Sequence, residues 1–545
     1  MRSWLTACLA VLVGVPGALA QMASKAVPAA PVPAASEPDV PPSEGEPAPG
    51  EVLEPAGTKV VEIVPRNAEH WDATVFSRPD AMSPIAGHVA RGARVPVLGK
   101  ATLPRARYCK SNTFYALAPL GFVCADDAEP SAETPSTDRV LQLREDSTLP
   151  YDYAMVRVEE GEEVPMWASL SDIADYAPPK RMLGRGDTIA IEDKTVDVEG
   201  QRYYVSIDGD VVPAEQTHRM RKFSAWQGVT LEADTHLPFG WITAHKARVY
   251  DGPRGKKIGQ LERRTRVDIL GEETIGRRRW LAIGDGQYLR GRDVNEVRAI
   301  ARPEGTGTQP QWLDVDLGEQ VVVAYRGERP VYATLISSGR PPHTTPRGNY
   351  PIWGKVSAIT MKSQPYDDKP YYVHRVPWVL FFQAHNALHG AYWHDKFGRK
   401  KSHGCANLSP KDARYLFEWV EPKLPPGWTA VRFNEEHPPP IVHVRHSGYR
   451  HPFRQERPQG PPDPELEAKK AEAAEARRAK ELEELLQLQQ AAEADQVPPM
   501  LRRAPEQTAT PALPPVTPLL APPQPKQSEA TPASPTQQPA APLTH

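Results

Sequence analysis

With 545 residues the chain is too long for one compact domain, and two to four domains with linkers are expected. Its formal charge of -3 at neutral pH gives no electrostatic reason for nucleic acid or a strongly anionic membrane as partner. The 61 prolines are about twice the usual share of roughly 5%. They crowd into residues 27–55 and 498–542, so the ends read as tails around an ordinary globular middle.

Residues 1–20 carry an early Arg2, an apolar run from Trp4 to Val15 and the small-x-small ending Ala18, Leu19, Ala20. That is the pattern of a signal peptide cut before Gln21, which implies export to the periplasm or cell wall. The apolar run is shorter than the roughly 20 residues needed to cross a bilayer, and no integral membrane span is expected after cleavage. Because Gln21 rather than a cysteine follows the cut, a lipid anchor is not expected either. Residues 21–57, rich in Pro and Ala, cannot bury enough surface to fold and read as a disordered linker.

Cleavage leaves Cys109, Cys124 and Cys405 in a compartment that favours disulfides. Cys109 and Cys124 lie in one short segment, where they can bridge each other and leave Cys405 alone. Around them, short alternating strands separated by Gly-containing basic turns recur over residues 58–128, 151–220 and 238–300, with a linker at 129–150. Examples are HVARGARVPVLG with YALAPLGFVCADDA, and GQLERRTRVDILG with WLAIGDGQYLRGRDV. These stretches resemble bacterial Src homology 3-like modules, small β-barrels that bind glycan or peptide of the cell wall or serve as spacers.

From 311 to 433 the sequence reads as one mainly β domain. Leu313, Val315 and Leu317 alternate with Asp314 and Asp316, Arg326 to Glu328 form a turn, and Trp378 to Phe382 suit a central strand. A helix is expected to start at Ser409 as N-cap, with Pro410 at its first position and Asp412 at the positive end of its dipole. Ala413, Leu416, Phe417 and Val420 share one face, and Pro422 stops it. Residues 464–495, dominated by Ala, Glu, Lys, Leu and Arg, read as a long charged helix, and 496–545 as a disordered tail.

The chemistry concentrates in HGAYWHDKFGRKKSHGCANL, from His389 to Leu408. A thiol is mostly protonated at neutral pH, so a nucleophilic cysteine needs a nearby base or cation. His389 and His403 supply candidates, Gly404 removes bulk where a carbonyl must approach, and backbone N–H groups of the turn are placed to hold an oxyanion. His385, His389, His394, His403 and Cys405 are also potential metal ligands, but their irregular spacing lacks a paired cysteine motif, and no metal is expected.

SHGCANLS, with HG sixteen positions before the cysteine and AYWHDKFG between, resembles the signature of L,D-transpeptidases of the YkuD type. The upstream stretches ISSGRPPHTTPRGNYPI and VPWVLFF resemble the same family. Ala406 departs from it, standing where a larger aliphatic residue is usual. The resemblance implies a β-rich catalytic domain in which Cys405 attacks a stem-peptide carbonyl of peptidoglycan and His389 is base and then proton donor. His403 and Ser402 orient the site, and Gly404, Gly390, Tyr392, Trp393 and Asn407 are candidate substrate contacts. Asn407 fits a backbone-fixing role as well, and Tyr392 and Trp393 equally fit a substrate wall or the core. A thioester forms, terminal D-alanine leaves, and a side-chain amine of a neighbouring stem takes the acyl group without any cofactor. The alternatives are an L,D-carboxypeptidase or hydrolase of the same fold, and a non-catalytic wall-binding scaffold.

Overall fold

The computed structural model describes residues 53–66, 72–118, 121–137, 148–363, 370–433 and 438–448, with Ala468 and Glu472. The signal peptide, nearly all of the 21–57 linker, the tail at 496–545 and all but those two residues of the 464–495 helix lie outside the described residues. The chain divides into one unit of residues 1–361 and 372–454 and another of 362–371 and 455–545. The first unit holds every feature discussed below.

This unit is mainly β. At its centre is a six-stranded sheet in the order Val229–Thr230, Arg329–Leu335, Val321–Arg326, Gln311–Asp316, Ile441–Arg445, Gly348–Pro351. Two of these strands come from outside the expected 311–433 span. Ile441–Arg445 lies parallel to Gln311–Asp316, with Leu313 opposite Val442. Val229–Thr230 adds the edge beside Ala333 and Tyr332.

The inserted strand explains why Gln311–Asp316 is buried along its whole length, where alternation predicts one solvated face. Leu313 and Val315 enter one core, with Leu388, Ala406, Leu408, Leu416 and Phe417, while Trp312 enters another beside Phe239 and Trp241. Asp314 and Asp316 are buried because Arg445 reaches both. It grips Asp314 through two guanidinium nitrogens, at 2.8 Å each, and Asp316 at 2.8 Å. Buried carboxylates are tolerated only when paired this way.

Three N-terminal segments are packed onto this domain. In the first, Ile85–Ala90 pairs with Trp428–Arg432 of this domain, and Trp428 sits in the core of Val61, Val75, Val89 and Leu117. Gly87 permits that approach, since a Cβ there would meet the Trp428 ring at 2.7 Å. This segment runs on to Ser131, beyond the expected end at 128, because Ala128–Ser131 pairs with Val60–Ile63. A disulfide joins Cys109 and Cys124 in a small core with Phe114. In the second segment Tyr153 stacks on Tyr392 at 3.7 Å. The third forms a three-stranded and a five-stranded sheet around Ile242, Val249, Leu281, Leu289 and Val294.

Arg445→Ala should destabilise the protein by about 3 to 5 kcal/mol, because it leaves the buried Asp314 carboxylate without its cation, while Asp316 keeps the N–H groups of Gly318, Glu319 and Ser447. Denaturant unfolding measures this, and a loss below about 1 kcal/mol would show that Asp314 and Asp316 stay solvated without their partner.

Candidate active site

Residues Asn386–Gly390 and Ala406–Leu408 form a short parallel pair, with Leu388 opposite Ala406, His389 opposite Asn407 and Gly390 opposite Leu408. Side chains alternate faces along a strand and agree across a pair. Leu388, Ala406 and Leu408 enter the core, so His389 and Asn407 share the opposite face. Cys405 immediately precedes Ala406, in the turn that leads into this strand.

Cys405 is a free thiol, half-buried, with its Sγ 3.8 Å from the His385 carbonyl. Burial pushes its pKa up to about 11, against a weaker opposing hydrogen bond from the Ala387 backbone. His389 is buried, and this pulls its pKa down to about 4. Its Nδ1 lies 3.3 Å from the Gly390 carbonyl, so Nδ1 carries the proton and Nε2 offers the lone pair. Both shifts favour the uncharged forms at neutral pH, the thiol of Cys405 and the neutral imidazole of His389. Trp393 lies face to face with the His389 ring, centroids 5.8 Å apart, and fixes its plane.

The turn before Cys405 is braced from inside and outside. Ser402 is buried; its Oγ donates to the Cys405 carbonyl and accepts the Gly404 N–H at 3.2 Å. Gly404 has φ +123°, and a Cβ there would meet Asn386 Oδ1 at 2.4 Å. Only glycine fits without displacement. Thr345 Oγ1 donates to the Gly404 carbonyl at 2.7 Å and accepts the Gly339 N–H at 2.9 Å. The Ser338 carbonyl accepts the N–H groups of Lys401 and Ser402, and Gln320 holds Ser338 through both ends of its carboxamide.

Behind the turn, Ser409 caps the helix Pro410–Trp419 by accepting the Asp412 N–H at 3.1 Å. The Asp412 carboxylate is buried yet accepts from Gly228 N–H, Tyr332, Thr334 and Ser409. The helix is therefore fixed to the central sheet and to the segment that precedes the third module. Leu416 and Phe417 press its apolar face beneath Leu388 and Ala406.

The loop between His389 and Cys405 is held by the third N-terminal segment. Asp395 pairs with Arg264 and lies 3.7 Å from Arg263, whose guanidinium also donates to the Asp395 and Phe397 carbonyls. Asn295 donates to the Gly398 carbonyl at 3.1 Å, and Arg399 to the Thr243 carbonyl at 3.2 Å. His394, on this loop, lies 3.0 Å from the Asn407 carboxamide.

The expected residues separate accordingly. Cys405, Ser402 and Gly404 share one braced turn, His389 and Asn407 stand opposite each other in the parallel pair, and Trp393 covers the imidazole. His403 is exposed, its ring 5.4 Å from that of His343. Gly390 and Tyr392 serve packing instead of lining the site. A Cβ on Gly390 would meet Pro377 and Ala413, and the Tyr392 hydroxyl bonds Thr188 and the His374 carbonyl. Sequence reasoning named His394 only as a potential metal ligand or structural residue, and missed Thr345, Asn386 and Gln320 as supports. Their partners are brought near only by the fold, although His394 falls inside the motif.

Because the resting pair is neutral, alkylation of Cys405 by iodoacetamide should accelerate with pH up to at least 10, following thiol ionisation. A rate already at its plateau at pH 6 would show a preformed ion pair. Peptide mapping confines the readout to this thiol.

A family model described as the L,D-transpeptidase catalytic domain, YkuD, matches residues 310–432. Among solved structures, an L,D-transpeptidase from Mycobacterium smegmatis is similar at 18% identity over 31% of this chain and 66% of that one, with a TM-score of 0.21. The chain thus spans just under two thirds of that relative's length. The catalytic domain of the E. faecium L,D-transpeptidase shows 25% identity over 25% and 98% of the two chains, with a TM-score of 0.21. An L,D-transpeptidase from Stackebrandtia nassauensis shows 23% over 26% and 59%, with a TM-score of 0.19. No curated protein matches the chain. Residues 310–432 are a YkuD-type L,D-transpeptidase catalytic domain.

Proposed function

We propose that the chain is an exported enzyme that acts on peptidoglycan, with Cys405 as nucleophile and His389 as general base, forming L,D cross-links between stem peptides. The observation that supports this is the parallel pairing that holds the buried imidazole of His389 beside the strand into which the free thiol of Cys405 leads, inside a domain matched to the family.

The neutral resting pair suits a concerted start. Cys405 Sγ adds to the carbonyl that joins the third and fourth residues of a tetrapeptide stem, and His389 Nε2 takes the thiol proton. Among the described residues no hydrogen bond engages the Cys405 N–H, which suits it to the oxyanion, whereas Ser402 Oγ already occupies the Gly404 N–H. The imidazolium then protonates the departing amine of D-alanine, leaving a thioester. His389 next takes a proton from an acceptor side-chain amine as that amine attacks. The amide forms, and the departing thiolate recovers its proton.

Ser402 acts through the shape of the turn, Asn407 with His394 holds the strand beside the thiol, and His403 lies at the exposed rim. An imidazole with a pKa near 4 remains a competent base down to mildly acid pH. Water in place of the amine gives carboxypeptidase chemistry from the same thioester. The N-terminal segments share strands, cores and loop contacts with the catalytic region, which supports scaffolding as one of their roles. Binding of glycan or peptide by them is a separate expectation.

Cys405→Ala should abolish conversion of tetrapeptide muropeptides, read by mass spectrometry, while its unfolding midpoint stays close to that of the unaltered protein. Dimers made by the unaltered enzyme support transpeptidation, and tripeptide monomers alone support hydrolysis. Cross-linking retained by the variant contradicts the assignment.

A further inference from the structure

The approach to Cys405 carries a concentration of positive charge that the proposed chemistry has not used. Backbone pairing builds it. Gly339 bridges Ser402 in parallel register, the Arg340 N–H donates to the Ser402 carbonyl at 3.1 Å, and the Lys401 N–H donates to the Ser338 carbonyl at 2.8 Å. Arg340 and Lys401 therefore flank Ser402, whose hydroxyl holds the Cys405 carbonyl. The Gly339 loop presses on the catalytic turn itself, since a Cβ on Gly339 would lie 2.9 Å from Gly404 Cα. Lys396 joins from the loop after His394, its carbonyl accepting from Ser337 Oγ at 3.0 Å.

Lys401 senses the other two cations. The Lys401 pKa is lowered by partial burial first and then by the charges of Lys396 and Arg340. Among the described residues none of the three forms an ion pair, and the neighbouring Asp395 is taken by Arg263 and Arg264. Like charges gathered without a carboxylate repel one another, and a bound anion relieves that cost. Arg340 and Lys396 are exposed and Lys401 half-buried, so a ligand reaches them without rearrangement.

We propose that Arg340, Lys401 and Lys396 form a carboxylate-binding subsite that seats the donor stem peptide with its scissile carbonyl over Cys405. This rests on the reading of Cys405 as acylated by stem peptides. Two carboxylates of a stem lie close to the attacked carbonyl: the C-terminal one on the leaving residue, and a side-chain one where the third residue is a diamino diacid. Both present the same chemistry to the cluster. The three residues position substrate and take no part in proton transfer.

The test compares three donors on the mature full-length chain: a tetrapeptide stem with both carboxylates free, its C-terminal amide, and its third-residue carboxamide. Arg340→Gln and Lys401→Gln should each raise KM for the free acid about tenfold, as expected for losing a charge-assisted contact. Arg340→Lys should recover part of that loss. One of the amides should bind the unaltered enzyme about tenfold more weakly and be insensitive to the Gln variants, which identifies the carboxylate. Raising salt from about 50 to about 500 mM should weaken the free acid selectively. Equal effects of the variants on all three donors, or unchanged KM, would overturn the subsite while leaving the transpeptidase reading in place. If the unaltered enzyme turns over none of the donors, the reading of Cys405 falls and the subsite with it.

Discussion

The site depends on one short piece of parallel β-structure. Three residue pairs between Asn386–Gly390 and Ala406–Leu408 decide which side chains are core and which are chemistry. Leu388, Ala406 and Leu408 are committed to the core by the hydrophobic effect, and that commitment holds His389 and Asn407 on the other face, with Cys405 one residue ahead of the strand. A register slip of one residue would bury the wrong set, so the core enforces the active-site geometry.

Around that pair, the supports come from distant parts of the chain. Asp412 ties the helix beneath the site to the central sheet and to Gly228, and Arg263, Arg264 and Asn295 hold the loop that carries His394. The first segment shares Trp428 with the catalytic region, and the second meets it through Tyr153 and Tyr392. The N-terminal segments therefore do more than space the enzyme from its surroundings. They bury faces of the catalytic region that would otherwise be exposed, and they limit how far the loop above His389 can move.

Much of this is legible in the residues. Ser409, Pro410 and Asp412 mark the helix start because capping is local chemistry, and the helix begins where they place it. The spacing of His389 and Cys405 marks the site because a thiol needs a base close by. What escapes is long-range. Ile441–Arg445 reads as a fragment of a Pro- and His-containing tail, yet it lies inside the central sheet because Arg445 neutralises Asp314 and Asp316. Nothing near Asp314 in the sequence announces a partner over a hundred residues away. Tyr392 is ambiguous between wall and core for the same reason, and the second segment decides it by supplying Tyr153 and Thr188.

The burial that neutralises both His389 and Cys405 at rest makes the thiol quiet until a carbonyl arrives to be attacked. Such a thiol is less open to adventitious oxidation, because thiolates are the reactive form. The central claim is that acyl transfer passes through this one sulfur. Intact-protein mass spectrometry after rapid quenching with a tetrapeptide stem tests it most directly. The account predicts a mass gain equal to the mass of the stem minus that of the free D-alanine released, as a thioester mapped to Cys405 and discharged by an added amine. Turnover with no adduct, or with the adduct on another residue, would contradict it.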